Sequence, residues 1–395
     1  MIQRSARFLA VLFVLALDSH ATAVQSQELF AEPIAIEVND QPLDVELGGN
    51  AAPWVHDFDG DGVRDLLVGE EFDGRLRIYR NRGSNVKPKF SGFELFQQGA
   101  EQGKVPDKHG FCPQVVDFDQ DGLADIISPA WYASVHWFRQ STKGVFEEGR
   151  PFVYQNGMPI RVQWTYGAAA VDWNADGKLD LIVGQQESFD NCSILLLTNE
   201  GTNHAPQFSQ PTPVLSDGKL IRIPDGQPTP TIADWDADGR LDLIVGVGNG
   251  SVGWFRNIGT NQTPKLSAAA GLVAAPKADE TRGISAKVCV VDWNLDGKLD
   301  LLVGDRGKQF DKQLDQVETL AMEQARQRHE SELANWGRVF RSFSTLAKQG
   351  ESSKLDAERR ELINANNRQK KLLGELQAYQ VKKQYHGRIW LFVRR

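Results

Sequence analysis

Cysteine is scarce. Cys112, Cys192 and Cys289 are the only three in 395 residues, which excludes a disulfide-stapled scaffold. They read as small buried hydrophobes; one pair could bridge, and spacing alone does not say which. Excess positive charge is also missing, and a net charge of −8 gives no reason to expect a nucleic-acid partner. Long apolar runs are absent too. The one apolar stretch near the start, Phe8 to Leu17, is too short to span a bilayer. Preceded by Arg4 and Arg7 and followed by Ala21-Thr-Ala23, it reads as a secretory signal peptide over residues 1–23. A secreted, periplasmic or cell-surface protein is expected, with no membrane span once the leader is removed. Ser/His/Asp groupings, phosphate-binding loops and Cys/His metal spacings do not stand out either.

What is abundant is aspartate at fixed spacing. In Asp172-Trp-Asn-Ala-Asp-Gly-Lys-Leu-Asp180, Asp172, Asn174, Asp176 and Asp180 occupy positions 1, 3, 5 and 9, with Gly177 at the sharp turn of position 6. This is the first half of an EF-hand calcium loop, whose ligands come from positions 1, 3 and 5, a backbone carbonyl at 7 and further oxygens beyond. An EF-hand continues into a helix. Here Leu181-Ile-Val-Gly184 follows, a β-branched run ending in a breaker, so the loop is expected inside a β-hairpin.

The loop recurs. Its other copies carry Asp57, Asp59, Asp61 and Asp65; Asp117, Asp119, Asp121 and Asp125; Asp234, Asp236, Asp238 and Asp242; and Asp292, Asn294, Asp296 and Asp300. Successive first aspartates lie 60, 55, 62 and 58 residues apart. An apolar or small stretch precedes each loop, a Leu-Ile-Val-Gly-like strand follows it, and a third strand such as Ser251-Val-Gly-Trp-Phe-Arg256 comes next. Pro88-Lys-Phe90, Pro206-Gln-Phe208 and Pro264-Lys-Leu266 introduce an outer strand. Four strands per repeat of this length predict an all-β protein, a β-propeller of five blades over residues 28–310 plus 385–395. The fifth unit lacks an outer strand, and residues 30–39 resemble one, so the N-terminal strand is expected to close the last blade.

Residues 311–383 interrupt that blade. Rich in Glu, Gln, Lys, Arg, Ala and Leu and free of proline, they place Leu314, Val317, Ala321, Ala325, Trp336, Val339, Phe340, Phe343 and Leu346 near one helical face. Leu355, Leu362, Leu372, Leu376 and Tyr379 mark a second helix. The pattern predicts an antiparallel helical hairpin of coiled-coil type, projecting from the propeller and available for self-association or partner docking.

Asp-x-[Asp/Asn]-x-Asp-Gly-x-x-Asp followed by Leu-Ile-Val-Gly resembles the FG-GAP/VCBS repeat family, which includes the calcium-binding blades of the integrin α-subunit propeller. The Phe-Gly and Gly-Ala-Pro elements are degenerate, with Tyr166-Gly-Ala-Ala-Ala170 the nearest trace. The resemblance implies up to five calcium ions. Each would be held by the side chains named above and by the carbonyl of Val63, Leu123, Lys178, Arg240 or Lys298. It implies an extracellular binding or adhesion module rather than a particular ligand.

By analogy with such rings, a ligand is expected on the face opposite the loops. The residues placed there are Glu70 and Glu71, His109, Trp131 and Tyr132, Trp164 and Tyr166, Gln185, Gln186 and Glu187, and Asp305 and Arg306. Aromatics beside amides and carboxylates suit a glycan or an extracellular protein. The alternative is a polysaccharide hydrolase or lyase, which needs a carboxylate pair at the centre of the ring. The innermost strands contain no Asp or Glu, so only Glu70, Glu71, Glu187 and Asp305 remain for that role.

Overall fold

Each apolar run after an acidic loop forms a strand buried on both faces. Leu181 and Val183 pack against Ile127 and Trp137 of the preceding repeat, whereas Ile182 packs against Leu243 and Val245 of the next. Alternate side chains of one strand thus serve two neighbours, which is why the run is apolar throughout rather than at every second position. The same division holds around the whole ring: five apolar clusters fill the grooves between successive blades.

The computed structural model describes residues 29–395 other than 46–48, 72, 106–109, 131–133, 163, 189–190, 278–279, 311–315, 350–351 and 379–382. The expected leader and the side chains of His109, Trp131, Tyr132, Leu314 and Tyr379 lie outside the described residues. Five antiparallel sheets form a five-bladed β-propeller. From the axis outward, blade one is Ala52–His56, Asp65–Gly69, Leu76–Tyr79 and Glu94–Leu95. Blade three is Thr165–Val171, Asp180–Ser188, Asn191–Leu197 and Thr212–Pro213. Blades two and four repeat that order from Gln114–Val116 and Thr229–Ala233. All three cysteines are free.

Blade five takes its inner strands from Ile284–Val291 and Asp300–Phe310 and its third from Ile389–Phe392. Its outermost strand is Ile34–Ala35, with Ile34 opposite Leu391 and Ala35 opposite Trp390. Phe30 and Ile36 flank this pairing and are themselves buried. Deleting residues 29–38 is therefore expected to bare the edge of Ile389–Phe392, to lower the melting temperature and to increase self-association relative to the parent protein. Light scattering and the melting temperature report it; an unchanged melting temperature would mean that the ring does not depend on this closure.

Two helices, α1 (Gln316–Gln349) and α2 (Ser352–Ala378), form the expected hairpin. Ala325 and Ala365 are fully buried, and the pair is cross-linked by Ser342 to Glu358 at 2.9 Å and Arg368 to Glu332 at 2.9 Å. The hairpin does more than project. Phe340 of α1 stacks on Trp164, the residue before the innermost strand of blade three, and Trp336 stacks on Phe340 in turn. The insertion thus touches the propeller on the face opposite the acidic loops.

Candidate metal loops and the opposite face

The five loops share one backbone. Position 6 is a glycine with φ between +83° and +89° in Gly62, Gly122, Gly177, Gly239 and Gly297. Position 4 is also left-handed, and four of the five residues there are not glycine: Gln120, Ala175, Ala237 and Leu295. Such residues resist this conformation, so something must hold them. The position-1 carboxylate does so, accepting the backbone N–H of positions 5 and 6 at 2.8–3.1 Å in every loop. The position-5 carboxylate in turn accepts the N–H of position 7 at 2.8–3.0 Å.

This gathers the oxygens. In three loops, Asp57/Asp59/Asp61, Asp117/Asp119/Asp121 and Asp234/Asp236/Asp238, one carboxylate oxygen from each residue lies within 4.8 Å of the others. In the remaining two, Asn174 and Asn294 stand at position 3, each donating its amide N–H to the position-5 aspartate. Asp119 Oδ1 and Asp236 Oδ1 are buried and accept no hydrogen bond. An all-oxygen donor set with orphaned buried carboxylate oxygens fits a hard divalent cation.

Position 9 has a second task. Asp65, Asp125, Asp180, Asp242 and Asp300 are buried, and each accepts a backbone N–H at 2.7–2.8 Å from the second residue beyond the third strand: Asn81, Gln140, Asn199, Asn257 and Arg394. In the last four blades the other oxygen accepts the N–H of loop position 2 at 3.0–3.3 Å. These carboxylates latch the loop to the third strand, and each oxygen retains a lone pair. Burial pushes Asp125 and Asp180 up to about 6 and raises the other three, because desolvation disfavours the charged carboxylate.

Two sets of supporting residues were not singled out from the sequence. Asn85, Asn203 and Asn261 each accept the N–H of position 8 at 2.7–2.9 Å and donate to the carbonyl of position 6 at 3.0–3.1 Å. They clamp both sides of the position-7 peptide. Their signal is the repeated Asn-x-Gly-Ser/Thr-Asn-x-x-Pro of blades one, three and four. Arg64 joins blade one to blade five, donating to the carbonyls of Asp292 and Trp293 at 2.7 and 2.9 Å, and Arg394 joins blade five to the carbonyl of Trp235 at 2.6 Å.

On the opposite face most of the expected residues are structural. Glu70 is fully buried between Arg75 and Arg77. Asp305 accepts from Gly283, Arg388 and Trp390 Nε1 at 2.5–3.0 Å, and burial raises its carboxyl above the usual range. Glu187 pairs with Asn191, and Gln186 accepts the N–H of Gln227 at 3.2 Å. Gln185 pairs with Thr165 and Ser193 in the sheet of blade three. Trp164 lies under the hairpin.

The axis holds a group that a search for carboxylates passed over. Lys287, on the innermost strand of blade five, is buried and donates to the Tyr166 carbonyl at 3.1 Å and to Thr229 Oγ1 at 3.2 Å. Burial pulls its ammonium below the usual lysine range. With Asn50, Glu71, Cys112 and Tyr166 it borders a water-sized cavity. Glu71 accepts from Asn50 and faces Arg306 at 3.9 Å. The structure brings Glu71, Tyr166 and Arg306 towards this axial cluster, while Glu70 and Asp305 serve the blade edges.

The FG-GAP-like repeat matches the chain at residues 57–128, 117–183 and 234–303. No curated protein matches it. Among solved structures, a GH62 hydrolase in complex with xylotriose is 15% identical, with 73% of this chain and 94% of that one covered at a TM-score of 0.45. The GH43_1 enzyme from Xanthomonas citri, also with xylotriose, is 13% identical over 73% and 88% at 0.43. BBS1N in complex with ARL6DN is 14% identical over 67% and 82% at 0.34. At these values no site residue is carried over from any of them.

Proposed function

The chain belongs to the FG-GAP-like repeat family, and from that premise we propose that it is an exported binding module whose five loops hold calcium for structure. Its ligand, an extracellular glycan or protein, is met by the hairpin and the face beneath it. The observation that carries this reading is the five-fold repetition of one pre-arranged oxygen cage on a single rim. A catalytic ion needs one site; five repeated ones, each next to a strand junction, suit a structural role. Positions 1, 3, 5 and 9 and the carbonyl of position 7 would hold each ion, which supplies the positive charge that the clustered carboxylates lack.

Binding is preferred over hydrolysis because the four carboxylates available to an enzyme are engaged. Glu70 and Asp305 are buried in ion pairs and hydrogen bonds, Glu71 is bonded to Asn50, and Glu187 to Asn191. Exposed Leu320 and Ile363 on the hairpin support self-association or partner docking there.

Calorimetric titration of calcium into chelator-stripped protein is expected to show uptake of several ions per chain, and absence of uptake would overturn the calcium assignment. A glycan and matrix-protein binding screen on the calcium-loaded chain, with and without residues 316–378, tests the module. Binding that changes with the hairpin supports it, whereas a hydrolytic activity lost in Glu70→Gln or Glu187→Gln would replace it with the enzyme.

A further inference from the structure

The position-3 residue of each loop and the residue immediately after the third strand of the same blade vary together. Where position 3 is aspartate, an arginine follows the strand: Asp59 with Arg80, Asp119 with Arg139, Asp236 with Arg256. Where position 3 is Asn174 or Asn294, Thr198 or Val393 follows it. In all three arginine blades the two side chains meet. Arg139 Nε lies 2.5 Å from Asp119 Oδ2, Arg256 Nε 2.5 Å from Asp236 Oδ2, and Arg80 Nη1 3.4 Å from Asp59 Oδ2.

The same guanidinium reaches a second carboxylate of its loop: Asp121 at 2.6 Å, Asp238 at 2.8 Å and Asp65 at 2.9 Å. Counting only the side chains of positions 1, 3, 5 and 9 and this arginine, the formal charge is the same in both kinds of loop. Four carboxylates offset by one guanidinium leave a formal −3, and so do three carboxylates with one amide. Basic residues at position 7 occur in both kinds of loop (Arg240 in one, Lys178 and Lys298 in the other), so they do not account for the division.

Resting on the calcium reading above, we propose that Arg80, Arg139 and Arg256 are resident counter-ions. They sort the five loops into three that carry an internal cation and two that dispense with it. The guanidinium takes the outer oxygen of the position-3 carboxylate. In Asp119 and Asp236 the other oxygen is left buried and without a hydrogen bond, free for a divalent ion. The arginine and the ion are therefore partners rather than competitors. The arginine keeps four crowded carboxylates together when calcium is absent, because like charges at this distance otherwise repel.

A cycle of variants tests this without reference to any activity. In chelator, Arg139→Gln is expected to lower the melting temperature by about 5 °C, and Asp119→Asn in the same chain to recover most of that loss by turning loop two into the amide kind. Conversely, Asn174→Asp alone is expected to destabilise, and Thr198→Arg added to it to rescue. Calcium is expected to offset Arg139→Gln, so the gap between chelator and calcium widens beyond that of the parent protein.

Additive effects within both pairs, or a neutral Arg139→Gln, would overturn the proposal. Should Arg139→Gln fail to fold, the Asn174→Asp and Thr198→Arg pair carries the same test on an independent loop. A wild-type protein indifferent to calcium, with the chelator cycle intact, would discard the calcium reading and keep the counter-ion pairing.

Discussion

Stripping divalent ions with a chelator is expected to lower the melting temperature by roughly 5 °C for each loop that calcium fills at a hundred-fold excess over its Kd. An ion bound only by the folded state at that excess contributes about 2.7 kcal/mol, and a domain of this size shifts by about 2 °C per kcal/mol. Eighteen aspartates crowd the five hairpins, and the loops are joined from blade to blade. Arg64 spans blades one and five, and Arg394 spans blades five and four. Loosening one loop is therefore expected to loosen its neighbours. The transition should fall as a whole and return when calcium is added back. Differential scanning calorimetry in calcium-free buffer, before and after chelation, measures it. Coincident melting curves would remove the metal assignment.

Gly304→Ala is expected to cost about 3 kcal/mol or more, at the upper end of what overpacking costs in a core. The glycine closing each Leu-Ile-Val-Gly run lies against the innermost strand of the next blade. A methyl group on Gly304 would sit 1.8 Å from the Ala51 carbonyl oxygen, one on Gly184 1.9 Å from that of Pro228, and one on Gly69 1.9 Å from that of Phe111. Backbone cannot turn aside as a flexible side chain can, so relief requires two blades to separate along their shared groove. Gly253, in the third strand of blade four, is the control. Its nearest neighbour is the Ala270 carbonyl oxygen at 4.0 Å, and Gly253→Ala is expected to stay within about 0.5 kcal/mol of the parent. Chemical denaturation of both variants decides it; equal stabilities would mean that the glycine reflects strand termination rather than close approach.

That glycine illustrates what was readable and what was not. From the chain alone, Gly184 and Gly304 are breakers after a strand; only the ring puts another blade's carbonyl where their Cβ would be. The acidic loops were legible to the residue because ligand spacing, turn glycine and strand are local properties written within nine residues. The second task of Asp180 was not, because Asn199, whose N–H it holds, is nineteen positions away. Arg139 and Asp119 are likewise separated by twenty residues and joined only by the sheet. The opposite face was the least legible. Glu70 looks like a free carboxylate until Arg75 and Arg77 are folded onto it, and Lys287 looks like an exposed strand lysine until five innermost strands converge around it.

Repetition explains the division. Five near-identical units dictate their own strand order, their loop chemistry and the number of blades, because each unit can bury its two apolar faces only against copies of itself. So the amino-acid sequence determined by itself the propeller, the rim of acidic loops and the helical hairpin. Closure by Ile34–Ala35 was foreshadowed by the strand missing at the other end. What only the tertiary structure decided is everything that depends on contact between units or across the axis: the latch of position 9, the glycine seats, the guanidinium beside each fourth carboxylate, and the docking of Phe340 on Trp164. Those contacts join residues far apart in the chain, and no local pattern encodes a distance that the closing of the ring creates.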